Sequence, residues 1–285
     1  MKGIRYISLL ILLLGFQSLA AQEVVRKASK TEEKVFEKDI SQVSVYGEKA
    51  QISVKGWESN TIKVILKPVS RNKVEKQAIE DLKYIKYYAE KEGNLLVIRN
   101  SFRGEAEKIT SNLGIEIEVF VPQSIPVSIT NLYGPVYAAD LNEVDTEISF
   151  GSLRLTKINT SGTIQARYSN MELNAIRGEL TVNAEKSDIM ATDLSAHSII
   201  TTSYGKTDLY LSGNGDLAVN GYRTAIDITL ESLEKYNFRL EAAHGGVNLP
   251  ARNEPIKTKV EIRHPDSTAR IEATTSYCDI NIKLK

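Results

Sequence analysis

From residue 43 onward, apolar and polar residues alternate in short runs. Val43 and Val45, Ile52 and Val54, then Ile62, Val64 and Leu66 each stand between polar neighbours. Period two with one apolar side predicts half-buried strands. Gly47 and residues 56–60 supply turns between them. Pro68 closes the third run. The charged stretch 73–82 then places Val74, Ala78, Ile79 and Leu82 on one side at helical spacing, which predicts a short amphipathic helix. Residues 84–89 and 95–98 read as a hairpin around Glu92-Gly93-Asn94. After a polar loop over 101–112, Ile115, Ile117, Val119 and Val121 alternate again up to Pro122.

Beyond residue 126 the alternation becomes a repeat. The pairs Tyr133-Gly134, Phe150-Gly151, Tyr168-Ser169, Lys186-Ser187, Tyr204-Gly205 and Tyr222-Arg223 follow one another at 17 or 18 residues, and His244-Gly245 and Tyr277-Cys278 follow at 22 and 33. Apolar residues keep register with these markers. Four residues before them stand Ile129, Ile164, Val182, Ile200, Leu240 and Ala273. Five after them stand Leu155, Leu173, Leu209, Leu249 and Ile282. Each unit reads as strand, corner, strand, corner, and is too small to bury its own apolar face. Stacked units share one continuous core. The fold expected is all-β: a β-solenoid, that is a single-stranded β-helix of about 18 residues per rung, preceded by a small mostly-β domain with one short helix. An antiparallel sandwich is the alternative, but it has no reason to repeat columns. Near Tyr222 the register slips, which reads as a bulge. The excursion 253–266 is expected to cover or reinforce the far end, where an open sheet edge would invite aggregation.

The start of the chain has a different pattern. Lys2 and Arg5 precede an apolar run from Ile7 to Phe16, followed by Ser18-Leu19-Ala20-Ala21-Gln22. This has the form of a secretory signal peptide over 1–21, cut after Ala20 or Ala21. The run is short of the roughly 20 apolar residues that span a bilayer, so no transmembrane segment is expected in the mature chain. Residues 22–40 read as a charged flexible arm. The organisation expected is therefore signal peptide 1–21, arm 22–40, β-rich N-terminal domain 41–125 and repeat domain 126–285. The 36 basic and 36 acidic residues cancel. Cleavage would remove two basic residues, leaving 34 against 36 and a net charge of −2. Such a balance argues against a nucleic-acid partner. One cysteine excludes a disulfide framework within the chain.

The exported start, the alternating N-terminal domain, the strand Val119-Phe120-Val121-Pro122 and the repeated Tyr-Gly rungs together resemble the "putative adhesin" family of β-strand repeat proteins, common in Bacteroidetes and including domains of unknown function. The resemblance covers essentially the whole mature chain. It implies a β-helix in the cell envelope, in the periplasm or on the outer cell surface, and it carries no catalytic residues across. Lys186-Ser187 and Tyr277-Cys278 depart from the Tyr-Gly pattern.

Little in the chain points to chemistry. Parity along the strand puts Tyr168 on the side of Ile164 and Ala166, so the aromatic column is expected inside as core, with an exposed carbohydrate-binding stripe as the alternative. Cys278 has His244 one marker away on the neighbouring rung but no third partner, so both read as small corner substitutions. Asp188, Asp208, Asp216 and Asp227 lack a calcium-loop pattern, and residues 212–216 lack the closing glutamate of an EF loop. His264-Pro265-Asp266 reads as a loop. Lys73, Lys76, Lys83, Lys86 and Arg99 alternate with acids as a solvated face. No catalytic, metal or cofactor site is assigned and no cofactor is expected. Rungs without insertions build no cleft. The function expected is that of a non-enzymatic, adhesin-like envelope protein binding a polysaccharide or a protein. The alternatives are a periplasmic accessory of envelope stress sensing that binds a protein partner and, further off, a β-helix polysaccharide-active enzyme.

Overall fold

The structure, a computed structural model, describes residues 25–37, 39–104, 108–250 and 258–285. The expected signal peptide lies outside them. The described chain is nearly all strand, with one α-helix, α1 (Glu75–Asp81), and its 21 strands join into one sheet. The longest strand, β9 (Val127–Arg167), runs through four left-handed bends at Tyr133, Asp140, Phe150 and Lys157. After it come β10 (Asn170–Ile176), β11 (Glu179–Glu185), β12 (Ile189–Leu194), β13 (His197–Ser203), β14 (Lys206–Leu211), β15 (Leu217–Tyr222) and β16 (Ala225–Leu230).

These segments pair in parallel with segments one repeat away. Met171 of β10 lies opposite Leu153 on one side and Ile189 on the other, each 18 residues distant. Val182 of β11 lies between Ile164 and Ile200 in the same way. Two faces result: β9, β11, β13 and β15 on one, and β9, β10, β12, β14 and β16 on the other. Side chains alternate in and out of the core, so Ile164, Val182, Ile200 and Val219 form one buried column and Leu155, Leu173, Ala191, Leu209 and Ile228 another. The slip expected as a bulge at Tyr222 has another origin. The offset grows to 19 between β13 and β15 and between β14 and β16, and the extra length is taken up in the 212–216 connection.

Both ends depart from chain order. Near the start lie β1 (Arg26–Ser29), β2 (Glu32–Phe36), β3 (Gln42–Glu48), β4 (Ala50–Trp57), β5 (Ile62–Asn72), β6 (Ile85–Glu92), β7 (Leu95–Phe102) and β8 (Asn112–Pro122). β3 sits between β7 and β9, and β4 between β8 and β9, all in parallel, so the N-terminal part is joined edge to edge with the repeat in one sheet. Antiparallel strands close this end: β6 on β7, β5 on β8, and β1 and β2 on β5. Residues 26–36 were expected in a mobile arm. They pair instead, held by buried Ala28 and by the ion pairs Lys63–Glu33 (2.8 Å) and Lys27–Glu116 (3.0 Å). Charged residues on an edge strand discourage further pairing, so the charge that reads as disorder protects an edge.

The far end mirrors the near one. The last strands are β17 (Tyr236–Ala243), β18 (Val247–Asn248), β19 (Lys259–Ile262), β20 (Ala269–Ser276) and β21 (Ile280–Leu284). β20 lies between β15 and β17, and β21 between β16 and β18. β19, within the excursion expected to guard this end, runs antiparallel along the outer edge of β17.

The helix forms at 75–81, inside the expected 73–82, but only Ala78 of its expected apolar side is buried, and Val74 and Ile79 are exposed. It is held instead by Asp81. Burial by itself pushes this carboxyl up, but hydrogen bonds from the Ser111 N–H (3.1 Å) and the Gln77 amide (2.7 Å) bring it below its ordinary range.

Candidate binding face

The bend after each strand of the first face follows one local rule. Lys49, Tyr133, Phe150, Tyr168, Lys186, Tyr204, Arg223, Tyr277 and His244 all have positive φ, between 47° and 66°. Each marks the same corner of a successive layer. The N–H of Tyr168 donates to the Glu185 carbonyl, that of Lys186 to Ser203, that of Tyr204 to Tyr222, that of Arg223 to Ser276 and that of Tyr277 to Ala243. The following residue is small in every layer because its Cβ direction meets backbone. A Cβ on Gly205 would lie 2.2 Å from the Ser187 carbonyl oxygen, and one on Gly151 2.1 Å from that of Gly134. Ser169 and Ser187, which do carry a Cβ there, are buried and turn their hydroxyls back onto the carbonyls of Arg167 and Glu185. Cys278 is another small member of this series, and the His244 ring stacks on Tyr277 at 5.0 Å.

The left-handed corner reverses the parity expectation. Ile164 and Ala166 face inward as expected, but the turn at Tyr168 rotates its ring outward and puts Ser169 inside. The five aromatic residues that stand at such corners, and Tyr222 one residue before the corner at Arg223, are 44 % to 55 % exposed rather than core. Tyr133, Phe150 and Tyr168 stack in sequence at 5.2 and 5.0 Å. Their faces cover one another, so this part presents ring edges to solvent. At Lys186 the ammonium lies over the Tyr168 ring (4.8 Å) and donates to its hydroxyl (2.7 Å). Farther on the rings meet edge to face, Tyr204–Tyr222 at 5.5 Å and Tyr222–Tyr277 at 6.4 Å, around the Arg223 guanidinium.

Beside this corner lies a polar face. Gln165, Asn183, Thr201 and Asn220 lie opposite one another in one straight line across four layers and, with Glu147, floor a shallow concavity of about 500 Å³, with Arg167, Glu185, Ser203 and Tyr222 along its corner side. Arg167 and Glu185 form an ion pair across it (3.7 Å). A second concavity of about 410 Å³ adjoins it on the same strands, around Thr181, His197, Ile199 and Arg270. Asn and Gln amides offer both donors and acceptors, and threonine hydroxyls offer either. The arrangement can hydrogen-bond a hydroxyl-rich ligand that repeats along the same axis. No cluster of three or more His, Cys, Asp or Glu side chains that could hold a metal ion stands among the described residues.

The aspartates singled out by sequence are structural. Asp188 accepts from the Lys206 N–H (2.8 Å), and Asp216 from the Arg270 N–H (2.9 Å), each tying two layers together. Asp227 accepts from the Asn281 amide (2.6 Å) and pairs with Lys283 (3.0 Å) and Lys206 (3.4 Å), while Asp208 pairs with Lys206 (2.9 Å). Burial alone would raise the Asp227 carboxyl, but Asn281, Lys283 and Lys206 hold it below the ordinary aspartate range. In the loop, the His264 N–H donates to Asn237 (2.8 Å). Arg99 lies over the Tyr46 ring (4.4 Å) and Lys83 over Tyr84 (5.0 Å), and Lys76 pairs with Glu80 (3.8 Å). The polar line itself was not found from sequence. Its signal was present as an outward Gln, Asn, Thr, Asn series three residues before the markers of four rungs, with one residue of slip at Asn220.

No family model matches the chain, and none of the curated proteins does. Among solved structures the chain is similar to a "putative cell adhesion protein" from Clostridium sporogenes, at 14% identity over 90% of this chain and 100% of the other, with a TM-score of 0.33. It is similar to a "putative adhesin" from Bacteroides fragilis at 10% identity, over 90% and 97%, with a TM-score of 0.45. A "putative lipid binding protein" from Parabacteroides distasonis stands at 11% identity, over 89% and 96%, with a TM-score of 0.38. Likeness at this level carries neither ligand nor role across. No helix among the described residues is long and apolar enough to cross a membrane.

Proposed function

We propose that this protein is a non-enzymatic, exported cell-envelope protein, an adhesin-like β-solenoid that binds a linear polysaccharide along its polar face. In this reading residues 1–21 direct export, residues 41–125 form the N-terminal part and residues 126–285 are the repeat. Parallel pairing at offsets near 18 and two lines of left-handed corners, one through Tyr133 to Arg223 and one through Asp140, Lys157, Ala175 and Asp193, support the solenoid. The observation that carries the function is the straight line Gln165, Asn183, Thr201, Asn220 in one open concavity. A polymer presenting the same hydroxyls at each sugar meets an amide or hydroxyl side chain at each layer, about 4.8 Å apart, so weak hydrogen bonds add along the line.

A glycan array probed with the mature protein tests this, followed by calorimetry on the best polysaccharide. The variant Asn183→Ala/Asn220→Ala is expected to weaken binding at least tenfold with little change in the thermal midpoint, since both side chains are exposed and the one hydrogen bond lost, from the Thr274 hydroxyl to Asn220 (3.0 Å), is exposed too. Recovery of a protein partner from envelope extracts, with no glycan bound on the array, would replace this reading with the accessory one.

A further inference from the structure

Along the strand faces of the repeat, from β9 onward, the described cations are paired with carboxylates. Arg154 pairs with Glu172, Arg177 with Asp193 (2.6 Å), Lys206 with Asp208 and Lys283 with Asp227. The corner differs. Lys186 and Arg223 are exposed, and among the described residues neither has a carboxylate within 4.0 Å. Lys186 is held by the Tyr168 ring and hydroxyl. Arg223 lies 5.3 to 5.9 Å from the centres of three tyrosine rings, Tyr204, Tyr222 and Tyr277. Ring faces attract the cation without using its N–H donors, so the guanidinium is positioned and its hydrogen-bonding capacity is left over. The two cations stand two layers apart on one straight column, roughly 10 Å at strand spacing. Each directly follows a residue that lines the concavity, Lys186 after Glu185 in its middle layer and Arg223 after Tyr222 at its end. Of the carboxylates in that concavity, Glu185 is taken by Arg167, and Glu147 lies at the opposite end.

We infer that the polysaccharide bound on this face is anionic, carrying carboxylate or sulfate groups on spaced sugars, and that Lys186 and Arg223 receive two of those groups along the chain. This rests on the polysaccharide reading above. Separation decides for a polymer over a single small anion, because one carboxylate or phosphate does not reach both cations. Planar, ring-backed Arg223 is suited to a two-pronged bond to either group.

Calorimetry of the whole mature protein tests the inference with four probes: oligogalacturonate, the same oligomer fully methyl-esterified, dextran sulfate and inorganic polyphosphate. The expected result is at least tenfold tighter binding of an acidic oligomer than of the ester. That preference should weaken with added salt and vanish in Lys186→Gln/Arg223→Gln with an unchanged thermal midpoint. Whether oligogalacturonate or dextran sulfate is the tighter tells carboxylate from sulfate. Equal affinity for acid and ester overturns the anionic inference and leaves the polysaccharide reading intact. No binding of any sugar polymer overturns both. Polyphosphate binding as tightly as the acidic sugars overturns the inference in favour of an unselective polyanion site. Asn183→Ala/Asn220→Ala should weaken acid and ester alike, which separates the hydroxyl-reading line from the charge-reading corner.

Discussion

The middle of the molecule and its two ends are built from the same unit under different rules. From β9 to β16 each layer follows its predecessor in the chain, and Val182 lies between Ile164 and Ile200. At the ends the order is permuted. β3 and β4 are enclosed by strands that come later, and β20 and β21 enter between β15–β16 and β17–β18. A stack grown in simple order would leave its last strand as an open edge. Enclosing that strand and laying antiparallel β19 or β6 outside it replaces a bare parallel edge with a short or charged one. The ends thus lock the chain against fraying from its termini.

The largest expected effect comes from breaking that lock. Ending the chain at Pro250 removes β19, β20 and β21. Although β17 and β18 stay in the chain, they lose the layer that joins them to β15 and β16. Amide exchange should show β17 as unprotected as a free strand, and exchange should quicken in β15 and β16 too. Protection retained in β17 would mean that the two ends follow the same rule as the middle. A smaller effect is expected at a single corner of the middle. Gly151→Ala places a Cβ against the Gly134 carbonyl, and crowding of this kind costs about 1–3 kcal/mol. Urea unfolding checks it, and a change within experimental error would show that the layers can part at the corner.

The smallest effect is electrostatic and lies at the join of middle and end, where Asp227 of β16 meets Asn281 and Lys283 of β21. Its folded carboxyl titrates below the ordinary value of 3.8. The stability it contributes is therefore present above that value and is lost as pH falls through the folded one. Asp227→Asn should be less stable than the native protein at neutral pH, and the gap should close below about pH 4. A gap that does not change with pH in urea titrations would show that the contact acts by packing and not by charge.

Much of this could be read from the residues. Strand positions follow from alternation, and the repeat length from the recurring Tyr-Gly pairs, because every layer solves the same packing problem. The corner aromatics were legible as a column yet assigned to the wrong side. Parity holds only while φ stays in the extended region, and Tyr168 at φ 50° leaves it. The pairing of 26–36 is hidden in the sequence for a related reason: a charged strand at an edge has the composition of a solvated segment, and only its partner β5 distinguishes the two. The polar line was hidden because Gln165, Asn183, Thr201 and Asn220 fill outward positions where almost any polar residue is tolerated.

By itself the sequence determined the local geometry: alternation, the corner spacing, the small residue after each corner and the β class. These depend on sterics within a few residues and on the need of each short unit to bury one side. The tertiary structure alone decided which layer encloses which and that two cations without a carboxylate partner stand beside a line of amides and a hydroxyl. Those outcomes depend on contacts between residues from 18 to more than 80 positions apart, such as Val182 with Ile164 and Lys27 with Glu116. No local pattern encodes such pairings, because it is free-energy competition among alternative strand pairings, not propensity, that selects them.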